Sequence, residues 1–260
     1  MIVSASQLET HADCARKWFF ASRKKLPQLP KGSTSIGIVL HGVAERWHKA
    51  DDLGRAENGH PVELFPAGWA TDDKGETISP ADQLKVQEMV KAAIEGGVWE
   101  RLPGRKVEWG FMLPVIDDVD LMGFVDVLMP DAIWDHKTTS KKRYAKSARA
   151  IADSAQMNIY AKALTVLREM EGAPPLSVVQ LRHNTFIFET AQARKTVAEV
   201  EIDHVHRYWE SAVVPRVQKM QKQTALQDWH DFEPPPPDAC MKYGGCPFMS
   251  ICGGKETVEQ

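Results

Sequence analysis

Two carboxylates and one ammonium group lie close together in the stretch from Leu121 to Thr139, where their types and spacing suit metal chemistry. Asp126 belongs to a run of alternating apolar residues that predicts a strand, and Asp135 and Lys137 belong to a second run after a Pro130-Asp131 turn. Successive strand residues face opposite sides, so Asp135 and Lys137 share one face, and the bend can bring Asp126 beside them. Burying such charges is costly unless they pair or hold a metal. Oxygen ligands of this kind suit Mg²⁺ or Mn²⁺, either of which can bind phosphate oxygens and activate water.

These residues resemble the core signature of the PD-(D/E)xK nucleases, in which a lone acid on one strand precedes an acid-x-lysine on the next. The first strand carries Gly123-Phe124-Val125-Asp126, and the second carries Asp135-His136-Lys137. Gln156 and Tyr160 match the Q-x-x-x-Y pattern that follows the core in RecB-like members, and His41 lies in a Gly-x-x-x-His-Gly helix pattern. Without the resemblance, the two acids and the lysine would fit a solvated salt bridge on an edge strand.

The resemblance implies a site that hydrolyses DNA phosphodiester bonds, as an exonuclease, with one or two Mg²⁺ or Mn²⁺ ions. The implied metal ligands are the side chains of His41, Asp126 and Asp135 and the carbonyl of His136. Lys137 would orient the attacking water or neutralise charge on the phosphate, while Gln156 and Tyr160 would position the strand. On spacing alone His41 could instead be a helix-face histidine bonded to a neighbour, and Tyr160 an ordinary core aromatic.

Charged residues on either side of the central hairpin are further candidates. Glu108, in a predicted strand, lies where related nucleases often place an acid, although a solvent-facing strand residue fits equally well. The segment from Lys137 to Arg149 contains no acid, and Lys141, Lys142 and Arg143 within it would contact DNA phosphates. A solvated basic face is the alternative. The net charge of −3 does not exclude nucleic acid, because a local patch makes the phosphate contacts.

The four cysteines fall in two places, one near the start of the sequence and three near its end: Cys14, Cys240, Cys246 and Cys252. In a protein expected to be cytoplasmic, close-set thiols argue for metal rather than for a disulfide. One leading and three trailing cysteines resemble the iron–sulfur staple of AddB-type and CRISPR-associated adaptation nucleases, which implies a structural 4Fe-4S cluster. Five residues separate each trailing pair, whereas many relatives have two between the first pair, so a four-thiolate Zn²⁺ site is the alternative.

The alternation of helices and strands predicts an α/β fold, and the resemblance implies a restriction-endonuclease-like core with a short central mixed sheet flanked by helices. One nuclease domain is expected over residues 1–260. Its expected segments are an N-terminal helix with the first cysteine (1–34), a helical segment (35–105), the catalytic core (106–190), a long helix (191–233) and a cysteine-rich, cluster-binding tail (234–260). Ser6 and Glu9 form a predicted capping box for the first helix, Ser79 and Pro80 start another, and the long helix is predicted from about Ala191 to Gln223.

No apolar run is long enough to cross a membrane, and the N-terminus lacks the basic and apolar segments of a secretory signal. We therefore expect a cytoplasmic protein that does not bind membranes and acts on single- or double-stranded DNA. No helicase motif occurs in the 260 residues, so a helicase or recombination partner would have to unwind a duplex. Recombination, repair and spacer acquisition in phage or bacteria all fit. Two alternatives are a non-cleaving nucleic-acid-binding or assembly module with the same fold, and a redox protein that uses its cluster for electron transfer.

Overall fold

The computed structural model describes residues 1–27, 32–57, 59–72, 75–235, 240 and 245–252, with the backbone alone for residues 32–34. The chain forms two compact units. The larger, the central unit, comprises Lys31–Gly110 and Phe124–His204, and the smaller, the terminal unit, comprises Met1–Pro30, Phe111–Gly123 and Val205–Gln260. One nuclease domain over residues 1–260 stays a prediction.

Six strands form one mixed sheet in the described part of the chain. They are β1 (Ile2–Ser4), β2 (Lys106–Ile116), β3 (Val119–Leu128), β4 (Ala132–Thr139), β5 (Val178–Ile187) and β6 (Gln192–Glu201). Their order is β1-β3-β4-β5-β6, and β2 also pairs with β3. β1 is parallel to β3 and β4 is parallel to β5, whereas β3 with β4 and β5 with β6 are antiparallel. This mixed sheet and its flanking helices confirm the predicted α/β class.

Four helices of the central unit set the position of its strands. They are α3 (Gly32–Lys49), α4 (Pro80–Glu95), α5 (Ala148–Ala152) and α6 (Ala155–Met170). α3 and α6 pack on β4, and α4 packs on β6. Ser79 caps α4 through its side chain and Pro80 lies in the first turn, as the sequence predicts. Buried apolar side chains that include Leu40, Met89 and Phe186 join α3 and α4 to β5, and this packing fixes α3 against the sheet.

Several helices lie in the described part of the terminal unit. They are α1 (Ala5–Asp13), α2 (Ala15–Trp18), most of α7 (Ile202–Tyr208), α8 (Val214–Gln223) and α9 (Met249–Cys252), with π-helical turns at Phe19–Arg23 and Trp209–Val213. α1 packs on α8, and His11 Nε2 lies 2.6 Å from Gln223 Oε1. Trp18, Phe19 and Phe232 form an aromatic cluster. None of the described helices in the chain is long and apolar enough to span a bilayer.

The cap of α1 differs from the prediction. Ser4, not Ser6, is the N-cap, and its hydroxyl accepts a hydrogen bond from the Gln7 backbone N–H at 3.2 Å. The Gln7 side chain bonds back to the Ser4 N–H, so the capping partner is Gln7 rather than Glu9. The reason is that β1 ends at Ser4 and the chain turns directly into the helix, and the sequence analysis had not predicted that strand.

The long helix predicted from Ala191 is also wrong in its first half. Residues 192–201 form β6, and all ten pair with β5. Burial alternates from Thr196 to Val200, which is the period of a strand with one buried face. Helical structure begins only at Ile202 and continues through the π-helical turn to Gln223. Pairing with a buried neighbouring strand outweighs the local helical propensity of these residues.

Ser4→Ala should lower the free energy of unfolding by about 1 kcal/mol, because the backbone N–H of Gln7 loses its acceptor. For a chain of this size, that loss corresponds to a fall in Tm of about 2–4 °C. Ser6→Ala is the matched control, because Ser6 touches Ser4 without capping the helix, and it should leave Tm nearly unchanged. Equal falls in the two variants, measured by thermal denaturation, would contradict the assigned cap.

Candidate active site

The backbone pairing between β3 and β4 ends where the site begins. It reaches Val127 and Trp134. Asp126, which precedes Val127 in β3, bonds to β4 through its side chain instead. Its Oδ2 accepts a hydrogen bond from the His136 backbone N–H at 2.5 Å. The carboxylate therefore ties the two strands together at the point where their ladder ends.

Ligand atoms from three elements meet at this carboxylate. α3 supplies His41, β2 supplies Glu108 and β3 supplies Asp126. One ligand atom from each lies within 4.8 Å of the others, and His41 Nδ1 is 3.8 Å from Asp126 Oδ1. Two carboxylates with one imidazole are a donor set that suits Mn²⁺ or Mg²⁺. The structure thus brings together two of the expected ligands, His41 and Asp126, and adds Glu108.

Burial and repulsion make these two carboxylates hard to ionise in the absence of a cation. Burial, with the charges of Asp126 and Glu45, raises the pKa of Glu108 to about 7. Burial and the charge of Asp135 raise the pKa of Asp126 as well. Burial lowers the pKa of His41, which leaves its imidazole neutral and able to act as a ligand. A divalent cation would relieve the repulsion, so these residues fit the metal that the resemblance implies.

Glu108 reaches the group from an unusual backbone position. Its φ is 50°, in the left-handed region that residues with a side chain rarely adopt, although it lies within β2. Such geometry persists where the surrounding structure enforces it and is frequent at functional sites. The sequence leaves two equal interpretations of Glu108, an acid of the site or a solvent-facing strand residue. No pattern of residue types indicates this local irregularity in a strand.

Asp135 and Lys137 form an ion pair on one face of β4. Lys137 Nζ lies 3.0 Å from Asp135 Oδ1 and 2.9 Å from Oδ2. Burial disfavours the charged lysine, but the Asp135 carboxylate outweighs that effect and raises the pKa of Lys137. His183, opposite Asp135 in the parallel strand β5, places Nε2 3.5 Å from Oδ2. Burial lowers the pKa of His183 to about 4, so a neutral ring faces the carboxylate.

His183 is a site residue that the sequence analysis missed. Its contact with Asp135 depends on the register between β4 and β5, which are far apart along the chain. The apolar residues Val178 and Phe186 are a signal for a strand in this part of the sequence. A parallel pairing of that strand with β4 places His183 beside Asp135. No short-range pattern specifies that pairing.

The side chain of His136 lies on the opposite face of β4 from Asp135. Its Nδ1 is 3.3 Å from Asn184 Nδ2, and its ring stacks on that of His48 with centroids 5.2 Å apart. Burial lowers the pKa of both rings, that of His48 to about 3. The His136 ring thus lies among buried aromatic side chains, and the role of the His136 carbonyl as a metal ligand stays a prediction.

Gln156 and Tyr160 lie one turn apart on α6, which packs on β4. The Gln156 side-chain amide donates a hydrogen bond to Tyr160 Oη at 2.8 Å. Tyr160 is 5% exposed, and burial raises its pKa to about 12, so the phenol is neutral. The two residues act as a pair, while contact with a DNA strand stays a prediction.

The basic residues Lys141, Lys142 and Arg143 follow the end of β4 and are all exposed. Lys141 Nζ is 3.9 Å from Glu189 Oε1, a distance at which a surface ion pair contributes little. The Arg143 guanidinium lies 5.0 Å from the centre of the Tyr144 ring. Both the phosphate contacts and the alternative of a solvated basic face stay open for this segment.

The side chains of the four cysteines line one small cavity of about 10 Å³ in the terminal unit. They are Cys14, Cys240, Cys246 and Cys252. Cys14 begins α2 as its N-cap, and the Lys17 backbone N–H donates to its Sγ at 3.3 Å. Burial raises the pKa of Cys14 and of Cys240, and all four thiols are free of disulfides. Four free thiols around one cavity fit the ligand set of either a 4Fe-4S cluster or Zn²⁺.

The mixed sheet flanked by helices is consistent with the core of the restriction-endonuclease-like class. The family model of the PD-(D/E)XK nuclease superfamily matches residues 2–253. The chain belongs to this superfamily. Membership implies a hydrolase that cleaves nucleic acid, and nucleases of the superfamily use divalent metal ions.

Several solved structures resemble the chain, including the following two. A protein of Eubacterium rectale, provisionally named an exonuclease, has a TM-score of 0.53 at 10% identity, over 93% of this chain and 92% of that one. At this identity the likeness shows the fold alone. The crystal structure of SSO0001 has a TM-score of 0.44 at 12% identity, over 98% of this chain and 87% of that one. No curated protein matches the sequence significantly.

Mn²⁺ should stabilise the protein more at high pH than at low pH. Because the pKa values of Glu108 and Asp126 are raised, the folded protein keeps protons that the unfolded chain releases between about pH 4 and 7. The metal-free protein should therefore lose stability as the pH rises through this range. We expect saturating Mn²⁺ to raise Tm clearly at pH 8 and little at pH 5, where protons compete for the same oxygens.

Glu108→Gln removes one of the repelling charges with little change in size. In the absence of metal at pH 8, this variant should melt above the native protein, and Mn²⁺ should raise its Tm by less. Glu171→Gln is the matched control, since Glu171 is an exposed acid paired with Lys106. A Mn²⁺-induced rise in Tm that is equal at both pH values and unchanged in Glu108→Gln would contradict the metal assignment.

Proposed function

We propose that this chain is a Mg²⁺- or Mn²⁺-dependent deoxyribonuclease that acts as an exonuclease. The observation that carries the proposal is the meeting of His41, Glu108 and Asp126 near the Asp135–Lys137 pair, whose charges act on the pKa values of His41 and Asp126. Phosphodiester hydrolysis needs a site for phosphate oxygens and a donor for developing negative charge. The three ligands supply the first, and Lys137 supplies the second.

Each residue has a proposed part in the reaction. His41, Glu108 and Asp126 would hold a cation, with Asp135 and the His136 carbonyl as further ligands. When bound, the ion supplies positive charge at the phosphate and lowers the pKa of a water. Lys137, fixed by Asp135, donates a hydrogen bond to that water or to a phosphate oxygen. The attacking water gives one proton to solvent as its oxygen bonds to phosphorus, the bond from phosphorus to the sugar oxygen breaks, and the leaving oxygen takes a proton from solvent.

Residues around the reacting groups would hold the strand. The hydrogen bond between Gln156 and Tyr160 fixes both side chains on α6, so the half-buried Gln156 would contact the DNA strand and the buried Tyr160 would hold it in position. Three exposed positive charges follow directly after β4, the strand that carries Lys137. They belong to Lys141, Lys142 and Arg143, which would bind the phosphates of a DNA strand that leaves the site. The provisional name of the Eubacterium rectale protein is in keeping with an exonuclease.

The cysteine cavity supports a structural 4Fe-4S cluster held by Cys14, Cys240, Cys246 and Cys252, with Zn²⁺ as the alternative. Cys14 lies near one end of the chain and the other three lie near the other, so a cluster would join the two ends within the terminal unit. The Lys17 N–H bond to the Cys14 sulfur would favour its thiolate form. The cluster would thus stabilise the fold and take no part in hydrolysis.

A cytoplasmic role in recombination, repair or spacer acquisition, in phage or bacteria, completes the proposal. A helicase or recombination protein would supply single strands, because the reaction proposed for this site cleaves phosphodiester bonds and does not separate base pairs.

Lys137→Ala and Asp126→Ala should each lower kcat for cleavage of end-labelled DNA by about 100-fold or more, the usual cost of losing a group that stabilises the transition state. The assay uses single- and double-stranded substrates with Mg²⁺ or Mn²⁺, and its product ladder reveals the direction of cutting. Lys106→Ala removes an exposed lysine paired with Glu171 and is the matched control, which should cut like the native protein. If the native protein binds DNA and leaves it intact with either metal, a non-cleaving binding module replaces the nuclease.

Protein purified without oxygen should be brown and should contain iron and acid-labile sulfide in equal, stoichiometric amounts. Cys14→Ser should lose most of this iron and lower Tm, because the cluster loses one of four ligands. Ser250→Ala changes an exposed residue within the cysteine helix α9 and is the matched control, which should keep the cluster. Stoichiometric zinc with no sulfide would contradict the cluster and favour the Zn²⁺ alternative.

A further inference from the structure

Phe124 is a large apolar side chain that is exposed beside the proposed active site. Its exposed fraction is 55%, whereas Val125 and Val127, on the opposite face of β3, are fully buried. Alternation along the strand puts Phe124 on the same face as Asp126, about 7 Å away along β3. A single exposed apolar residue needs no explanation by itself. A function for Phe124 must therefore be argued from the surroundings of its ring.

Gly110 of β2 provides the surface on which the Phe124 ring lies. A Cβ atom on Gly110 would come within 3.0 Å of Phe124 Cε1 and within 3.3 Å of Cδ1. Any larger residue at this position would therefore push the ring away from the strand. The backbone of Gly110 does not adopt a positive φ, so contact with the ring, and not the backbone conformation, explains the glycine.

The ring is held close to two of the proposed metal ligands. Phe124 is two residues from Asp126 on β3, and Gly110 is two residues from Glu108 on β2. The Cδ1–Cε1 side of the ring lies against Gly110, and the side chain is still more than half exposed. Tyr144 is equally exposed, but the Arg143 guanidinium already lies over its ring. Phe124 therefore offers a flat apolar surface where a strand bound at the metal would pass.

We propose that Phe124 is the stacking platform for a base of the substrate strand next to the cleaved phosphate. The inference rests on the proposed nuclease function and narrows its substrate. A nucleotide carries an aromatic base beside its phosphate, so a phosphate at the His41–Glu108–Asp126 group places a neighbouring base near this ring. Bases within a duplex already stack on both faces. The platform therefore selects a single-stranded or frayed end.

Binding is tested apart from cleavage by using Ca²⁺ in place of Mg²⁺ and a single-stranded oligonucleotide that contains 2-aminopurine near the end to be cut. Stacking on Phe124 should quench the 2-aminopurine fluorescence. Phe124→Ala should abolish this quenching and raise Kd about 5- to 100-fold, the range expected for losing one base–aromatic stack. Phe124→Trp should restore both, whereas Phe124→Leu, which keeps apolar bulk without a ring, should not.

Two further variants separate stacking from general effects of the substitution. Leu84→Ala removes an exposed apolar side chain of α4 and is the matched control, which should bind and quench like the native protein. Gly110→Ala leaves the phenylalanine in place but displaces its ring, so it should weaken quenching while Tm changes little. An oligonucleotide with an abasic nucleotide at the stacked position should bind the native protein as weakly as Phe124→Ala binds the intact one.

The outcomes distinguish this inference from the proposed function. Native protein that cuts single-stranded DNA, together with Phe124→Ala and Phe124→Leu that bind and cut it equally well, would overturn the platform and leave the nuclease standing. Quenching that depends on Phe124 in a protein that never cuts DNA would support the platform and overturn the nuclease. The platform would likewise be contradicted if Phe124→Ala bound the intact oligonucleotide as tightly as the native protein does and still bound the abasic oligonucleotide more weakly by the same factor.

Discussion

Repulsion between buried carboxylates is the constraint on which the candidate site depends. Asp126 and Glu108 are held close together by separate strands, and burial raises the pKa of both. Such an arrangement is unfavourable unless a proton or a cation shares the space. Asp135 lies 2.9 Å from Lys137, and the carboxylate raises the pKa of that lysine and keeps it charged. The site therefore separates into a group that attracts a cation and a lysine that already has its counter-ion.

The fold creates this separation where the ladder between β3 and β4 ends. The Asp126 side chain takes over from backbone pairing through its bond to His136, and α3 brings His41 to the same place. The buried contacts of α3 with α4 and β5 fix that helix, so the histidine is positioned by a core that has no chemical role itself. Phe124, two residues before Asp126 in β3, is exposed.

Features that depend on residues close together along the chain could be predicted from the sequence. Features that depend on how distant strands pair could not. The hairpin with Asp126, Asp135 and Lys137 follows from local alternation and a turn, and the structure has these strands. The approach of His183 to Asp135 depends on which strand pairs with β4, and the place of Glu108 depends on one irregular backbone angle. β6 was mistaken for helix because its alternation is short and has meaning only beside β5.

The central claim is that His41, Glu108 and Asp126 together hold the cation used for cleavage. It is tested most directly by a crystal structure of the protein soaked in Mn²⁺ at pH 8, with anomalous diffraction data collected for manganese. An anomalous peak bonded to these three side chains, and lost in a matched crystal of Glu108→Gln, is the predicted result. A peak held elsewhere in the chain, or none at these residues under conditions where Mn²⁺ supports cleavage, would contradict the claim.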